Sequence, residues 1–135
     1  MLFRSYVADG YFNHRVVVFD ADTGAFKRMW GAYGKPPTDE KLTYDANVLP
    51  QQFNNPVHGI RITSDGQVVL SDRANNRIQI FNKDGSFVRE LAVMRDSTAP
   101  GVTGSTVFWP DKGQTYWFTS DDRSEERRVG KECRL

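Results

Sequence analysis

This 135-residue sequence has few of the features that mark cofactor, membrane or redox proteins. It contains one cysteine (Cys133), two histidines and no apolar run near the roughly 18 residues that a membrane span requires. It also has no phosphate-binding glycine loop, no GxSxG nucleophile turn and no Asn-x-Ser/Thr glycosylation acceptor. These absences argue against a membrane span, a P-loop nucleotide site and a serine hydrolase of the nucleophile-elbow type.

The charge of the chain is small and has no dominant sign over most of its length. Residues 123–135 hold five of the 18 Lys/Arg and three of the 17 Asp/Glu, which leaves 13 basic and 14 acidic residues in 1–122. A body with a net charge of −1 has no basic surface of the kind that nucleic acids or anionic membranes attract. Hydrophobic residues at 39% and aromatic residues at 13% are typical of a folded globular protein.

The last thirteen residues differ in character from the rest of the chain. The stretch 123–134 reads RSEERRVGKECR, and it resembles an in-frame translation of a common short-read sequencing adapter. The alternative is a solvated, charged terminal helix or arm, the usual interpretation of such a charge run. We interpret 123–135 as an adapter-derived, non-native tail. Cys133 therefore says nothing about the redox compartment.

The body of the chain contains an internal repeat. When Val7–Trp30 is aligned with Leu70–Leu91, with single extra residues at Phe12 and Thr23, eight of 22 pairs are identical. Average composition would give about one or two such pairs. The identical pairs are Asp9/Asp72, Asn13/Asn75, Arg15/Arg77, Phe19/Phe81, Asp22/Asp84, Gly24/Gly85, Phe26/Phe87 and Arg28/Arg89.

The second copy predicts a four-stranded antiparallel meander. Alternating or apolar runs at 58–62, 67–71, 77–81 and 86–91 are separated by turn residues such as those at 64–66 and 82–85. A unit this small cannot bury both of its faces, so it must stack on similar units. Radial stacking of four-stranded sheets is the architecture of a β-propeller.

The predicted fold is therefore all-β, a partial β-propeller of about two and a quarter blades within 1–122. The blades lie at 3–30, 57–91 and, incompletely, 105–121, and the first of them lacks its innermost strand. Because propellers have about four to eight blades, we expect further blades of the same propeller on both sides. The connections 32–52 and 94–104 are long for a compact domain, which is typical of functional or disordered loops.

Two stretches of the repeat identify a family. VADGYFNHRVVVFD (Val7–Asp20) and LSDRANNRIQIF (Leu70–Phe81) resemble NHL repeats. The resemblance implies a propeller with six blades, and many bacterial members are exported, so we expect a periplasmic or extracellular protein. Proteins of this kind serve as platforms that bind a small molecule, a peptide or a protein more often than they serve as enzymes. Because one fold hosts many functions, the fold alone does not decide between the two.

The same residues are similar to an enzymatic member, the peptidyl-hydroxyglycine alpha-amidating lyase domain, which holds zinc in its central channel. That resemblance implies a zinc-ligand role for His58 and places Arg15 in the substrate site. The histidine expected at the head of the first blade would precede Met1, and the third ligand would belong to another blade. The lyase's cysteines are absent from 1–122. Zinc is thus a possible cofactor of a whole propeller.

Each candidate residue also has a structural interpretation. His58 could ligate a metal at the channel mouth or bond a neighbouring loop. His14 and Tyr33 are candidate binding-loop residues, although His14 fits loop packing better. The repeated Asp9, Asp72 and Arg77 favour a structural role, in which the carboxylates cap loop amides and the arginines bond carbonyls or those carboxylates. We expect five aromatic residues to pack between sheets: Trp30, Phe81, Phe87, Trp109 and Trp117.

Two hypotheses of function follow from the sequence. The first is an NHL platform that binds a ligand or protein and has no chemistry of its own. The second is a zinc-dependent, lyase-like enzyme in which the metal activates a carbinolamine hydroxyl.

Overall fold

A computed structural model describes residues 3–96, 100–121 and 131–134, the last four as backbone only. These residues form ten strands and two short 3-10 helices, with no α-helix among them. The strands are β1 (Arg4–Asp9), β2 (Arg15–Asp20), β3 (Phe26–Trp30), β4 (Val57–Ile62), β5 (Val68–Asp72), β6 (Arg77–Phe81), β7 (Phe87–Ala92), β8 (Thr106–Phe108), β9 (Tyr116–Thr119) and β10 (Lys131–Arg134). The 3-10 helices are Ala32–Gly34 and Arg73–Asn75.

The strands form three antiparallel sheets in the order of the chain. The first sheet is β1-β2-β3, the second is the complete meander β4-β5-β6-β7, and the third is β8-β9-β10. The β2–β3 and β6–β7 ladders shift register at equivalent repeat positions, Phe19 and Phe81. The predicted all-β, partial propeller is confirmed, and the first sheet has the three strands expected from the sequence.

Strand β10 pairs with β9, with Lys131 opposite Thr119. The remainder of 123–135 lies outside the described residues, and the interpretation of that tail as adapter-derived stays a prediction. Within the part of the chain that the structure describes, no helix is long and apolar enough to cross a membrane.

Two apolar cores lie between the sheets, and β5 contributes to both of them. Val68 and Leu70 join the core between the first and second sheets, whereas Val69 joins the core between the second and third. Successive side chains of a strand point to opposite faces. A strand that is covered on both faces can therefore be apolar throughout, and this explains the Val-Val-Leu run.

Aromatic rings contribute to both cores, as the sequence predicts for three of the five residues. Trp30, Phe81 and Trp117 are buried, and the rings of Trp30 and Phe81 lie 5.8 Å apart. Phe87 is 36% exposed, and its ring lies 5.0 Å from that of Tyr33. The prediction for Trp109 is wrong: it is 53% exposed. It follows the last residue of β8, at the turn toward β9, and its ring centroid lies 6.2 Å from that of Phe118.

Candidate functional site

An Asp–Arg pair closes the same end of the first two sheets. Asp9 and Arg15 are cross-strand partners at the ends of β1 and β2, and Asp72 and Arg77 are partners at the ends of β5 and β6. In both pairs the arginine Nε donates to the aspartate Oδ2 at 2.7 Å. The repeat thus places the same ion pair at the loop end of two neighbouring blades.

The two pairs differ in their surroundings. The side chains of Arg77 and Asp72 are both 0% exposed, whereas those of Arg15 and Asp9 are 35% and 28% exposed. Burial raises the pKa of the Asp72 carboxyl, and the Arg77 guanidinium opposes that rise. Burial also acts on Asp9, but hydrogen bonds from Asn13 and Arg15 outweigh it and hold the pKa of Asp9 below its ordinary value.

The connection between the first two sheets, Ala32–Gln52, is called the insert below, and its first 3-10 turn is packed on the buried pair. Tyr33 donates its hydroxyl hydrogen to Glu90 Oε2 at 2.9 Å and accepts a hydrogen bond from Arg77 at 3.0 Å. Its backbone N–H donates to Gln79 Oε1 at 3.1 Å. Burial raises the pKa of the Tyr33 hydroxyl. These contacts place Tyr33 in the packing of the insert against the second sheet.

His14 also holds the insert. Its Nδ1 lies 3.1 Å from the carbonyl oxygen of Thr38, and the residue is nearly buried. The equivalent repeat residue, Asn76, accepts hydrogen bonds from the backbone N–H groups of Gly101 and Val102 at 2.8 and 3.1 Å. At this repeat position, each side chain therefore fastens the loop that leaves its blade.

His58 lies at the start of β4 and is exposed. Its Nδ1 is 2.8 Å from the carbonyl oxygen of Gly104. Because a carbonyl oxygen can only accept, a neutral imidazole carries its proton on Nδ1 here, and the lone pair lies on Nε2. A backbone carbonyl on one ring nitrogen is also the arrangement that orients metal-ligating histidines.

The loop between β1 and β2 meets His58. A Cβ atom on Gly10 would lie 2.0 Å from the carbonyl oxygen of Val57, so this close approach of two backbones requires glycine. The ring of Tyr11 then lies edge-on to the His58 imidazole, with centroids 6.3 Å apart. Phe12 follows with a left-handed φ of 73°. Tyr11 and Phe12 are 63% and 89% exposed.

We call the group formed by Tyr11, Phe12, His58 and the Gly104 carbonyl the rim site. Of the residues singled out in the sequence, it includes only His58. Arg15 follows the same loop but is held by Asp9, while His14 and Tyr33 hold the insert. The described residues contain no group of three or more His, Cys, Asp or Glu that could bind a metal ion.

Tyr11 and Phe12 were not singled out from the sequence, although it contains a signal for them. The first blade has one more residue than the second between the repeated aspartate and arginine, and the alignment places it at Phe12. That insertion lengthens the loop and presents two adjacent aromatic side chains to solvent. Extra residues in a repeat generally map to loops, often on the binding face.

The match to a known family falls on the second sheet. Residues 53–81, which include β4, β5 and β6, match the NHL repeat family. The chain contains an NHL repeat. This NHL-repeat chain is also homologous to part of peptidyl-glycine alpha-amidating monooxygenase B of Xenopus laevis, with 39% identity over 124 residues, 85% of this chain and 12% of the relative.

Two further relatives differ in how much of the chain they match. Peptidylglycine alpha-amidating monooxygenase of Rattus norvegicus is 35% identical over 87 residues, 64% of this chain and 8% of the enzyme. Protein lin-41 of Caenorhabditis elegans is 53% identical over 30 residues, 22% of this chain and 3% of that protein. The chain therefore spans about an eighth or less of the length of these relatives.

Proposed function

We propose that this NHL propeller is a binding platform and that its ligand contacts the rim site. The observation that carries the proposal is the exposure of two adjacent aromatic side chains, Tyr11 and Phe12, the first of which lies edge-on to the exposed His58. Aromatic residues are enriched among the few positions that dominate binding energy, because each one buries a large area in a single contact.

The loop that carries these rings is held in place before any ligand arrives. Gly10 packs on the backbone of Val57, and Asn13 donates a hydrogen bond to Asp9 Oδ1 at 3.0 Å. A loop ordered in advance loses less conformational entropy on binding than a free one. The rings therefore support binding of a ligand with an apolar or aromatic group, and we propose a peptide.

The binding of a fluorescein-labelled peptide that ends in glycine tests this proposal, since the homologous monooxygenases are named for peptidyl-glycine. Fluorescence anisotropy gives the dissociation constant. Phe12→Ala should weaken binding about fivefold or more, as for a residue at the centre of an interface. Trp109→Ala is the matched control, because Trp109 is also an exposed aromatic residue and follows β8 of the third sheet, outside the rim site. Absence of binding, or an equal effect of both variants, would refute the proposal.

A zinc-dependent, lyase-like enzyme is the second candidate. It is favoured by homology to part of an amidating monooxygenase over 85% of the chain and by His58, which is exposed and has its Nδ1 held by the Gly104 carbonyl. The residues fit zinc at one ligand position, since the part of the chain that the structure describes contains no group of three or more His, Cys, Asp or Glu that could bind a metal ion. Zinc bound there would polarise the hydroxyl of a carbinolamine substrate.

The chain's own residues have defined tasks in this second candidate. The Gly104 carbonyl holds the His58 ring by Nδ1 and so keeps Nε2 turned away from that contact. Asp9 holds Arg15 by Nε while about a third of the arginine side chain stays exposed. A guanidinium held in this way can bind a substrate carboxylate.

The zinc content of the whole protein separates the two candidates. His58→Ala should remove most of the metal, as measured by inductively coupled plasma mass spectrometry, without loss of the fold. His14→Asn is the control, because asparagine is the residue of the second blade at that repeat position. Zinc content that is unchanged in His58→Ala, or lost equally in both variants, would end the metal hypothesis.

A further inference from the structure

The insert forms a partly open cavity whose lining shares no residue with the rim site. Its volume is about 830 Å³, and residues of the insert between Glu40 and Gln52 line it. Pockets that bind small molecules or short peptide segments measure about 300 to 1,000 Å³ and are mostly apolar with a few polar groups. This volume gives space for a ligand. The hydrogen bonds that hold the lining segment, called the wall below, and the side chains of that segment indicate which ligand it is.

One buried arginine holds both ends of the insert. Arg77 donates from Nη1 to the carbonyl oxygen of Pro50 at 2.7 Å and from Nη2 to that of Gln52 at 2.8 Å. The same guanidinium donates to the hydroxyl of Tyr33, near the start of the insert, at 3.0 Å. Because Arg77 is itself fixed by Asp72, the two ends of this loop are tied to a rigid part of the second sheet.

Further hydrogen bonds hold the middle of the insert. Tyr44 donates its hydroxyl hydrogen to the carbonyl oxygen of Arg95 at 3.1 Å and accepts from Asn76 Nδ2 at 2.9 Å. Arg95 donates in turn to the carbonyl oxygens of Ala46 and Val48. The wall of the cavity is thus fastened at three places to structure outside the insert, although it contains no strand.

The lining of the cavity combines an apolar surface with negative charge. Two carboxylates, those of Glu40 and Asp45, belong to it. Lys35 and Arg95 bond residues of the lining, but they do so at the Gln51 side chain and at backbone carbonyl oxygens, and neither is itself among the lining residues. Asp45 Oδ1 also accepts a hydrogen bond from the backbone of Asn47 at 2.8 Å, which orients that carboxylate. The apolar residues of the lining are Leu42, Ala46, Val48, Leu49 and Pro50.

We propose that this cavity is a binding site for a peptide segment in which apolar side chains flank a lysine or arginine. Apolar side chains of such a segment would cover Val48 and Leu49, both of which are more than half exposed. The cationic group would lie near Glu40 and Asp45 and so complement the charge of the lining. The proposal concerns a second site and stands independently of the rim site.

Three capped tripeptide amides that differ in one residue test the charge preference. Acetyl-Leu-Lys-Leu-amide should bind more tightly than acetyl-Leu-Gln-Leu-amide by about two- to fivefold for each carboxylate engaged. Acetyl-Leu-Glu-Leu-amide should bind more weakly than both. Isothermal titration calorimetry with the 135-residue chain measures the three affinities. Equal affinities, or no binding of the lysine peptide, would overturn the proposal.

Four variants assign the binding to the cavity. Glu40→Gln should reduce the preference for the lysine peptide over the glutamine peptide about two- to fivefold, whereas Asp22→Asn, at an exposed carboxylate outside the lining, should leave it unchanged. Val48→Ser should weaken all three peptides. Val107→Ser is its control, because Val107 is 49% exposed and Val48 is 53% exposed. Melting temperatures equal to that of the parent establish that each variant is folded.

A rim variant distinguishes this proposal from the first one. If Phe12→Ala abolishes binding of the lysine peptide and Val48→Ser does not, the peptide binds at the rim and the cavity proposal is wrong. If Val48→Ser abolishes it and Phe12→Ala does not, the cavity is the site, whatever the outcome for the glycine-ended peptide.

Discussion

Replacement of Arg77 by methionine should destabilise the chain far more than the same replacement of Arg15. Both arginines bond their aspartate through Nε at 2.7 Å, so both changes remove this ion pair, and the change at Arg77 also removes its 3.1 Å ion pair with Glu90. Methionine keeps an unbranched side chain of similar length and removes the charge. The difference between the variants therefore reports the surroundings of the pair.

The structure sets the expected magnitudes. Loss of Arg77 would leave the fully buried carboxylate of Asp72 without its cation, and loss of one partner of a buried pair costs about 3 to 5 kcal/mol. It would also leave the carbonyl oxygens of Pro50 and Gln52 without their donor. The pair of Arg15 and Asp9 is about one-third exposed, and pairs of that kind contribute about 0 to 1 kcal/mol.

Urea unfolding, followed by the fluorescence of the buried Trp30 and Trp117, measures both free energies of unfolding. If Arg77→Met does not fold, Arg77→Lys provides the comparison, because lysine keeps the charge but lacks the planar fork that bonds Asp72, Pro50 and Gln52 from three separate nitrogen atoms. If the free energies of unfolding of the Arg77 and Arg15 variants differ by less than about 1 kcal/mol, the reasoning is refuted. In that case the insert would not protect the pair from solvent.

Two further predictions concern glycine and pH. Gly85→Ala should destabilise the chain more than Gly24→Ala in the same urea assay. Both glycines have a positive φ, but only at Gly85 would an added Cβ lie 2.8 Å from the Trp30 ring. Equal losses in the free energy of unfolding would contradict this packing. Hydrogen bonds hold the pKa of Asp20 and Asp84 below 3.8, with the backbone N–H of Thr23 and the Ser86 hydroxyl as their first donors. A depressed folded-state pKa stabilises the fold above 3.8, and this contribution is lost as the pH falls. The free energy of unfolding should therefore decrease below about pH 4. The decrease should be less steep in the variant that carries both Asp20→Asn and Asp84→Asn, and an unchanged slope would contradict the role of these two carboxylates.

The sequence by itself determined the sheets and the repeat. Strands were predicted close to their observed bounds, for example 77–81 for β6, because alternation and Gly/Asp turns are local signals. The alignment of two copies also indicated that Asp9, Arg15, Asp72 and Arg77 occupy equivalent positions. Equivalent residues at the ends of equivalent hairpins adopt the same local geometry, and the two identical Nε–Oδ2 distances reflect this.

Only the tertiary structure decided what each copy's residues face. The insert covers Arg77 and leaves Arg15 partly exposed, although the two residues have the same local sequence context. Likewise, the contact between Tyr11 and His58 joins positions 47 residues apart in two sheets. Burial, and contacts between blades, depend on how sheets and long loops pack in space. Local sequence patterns do not encode that packing, so they predicted the blades but not the rim site or the cavity.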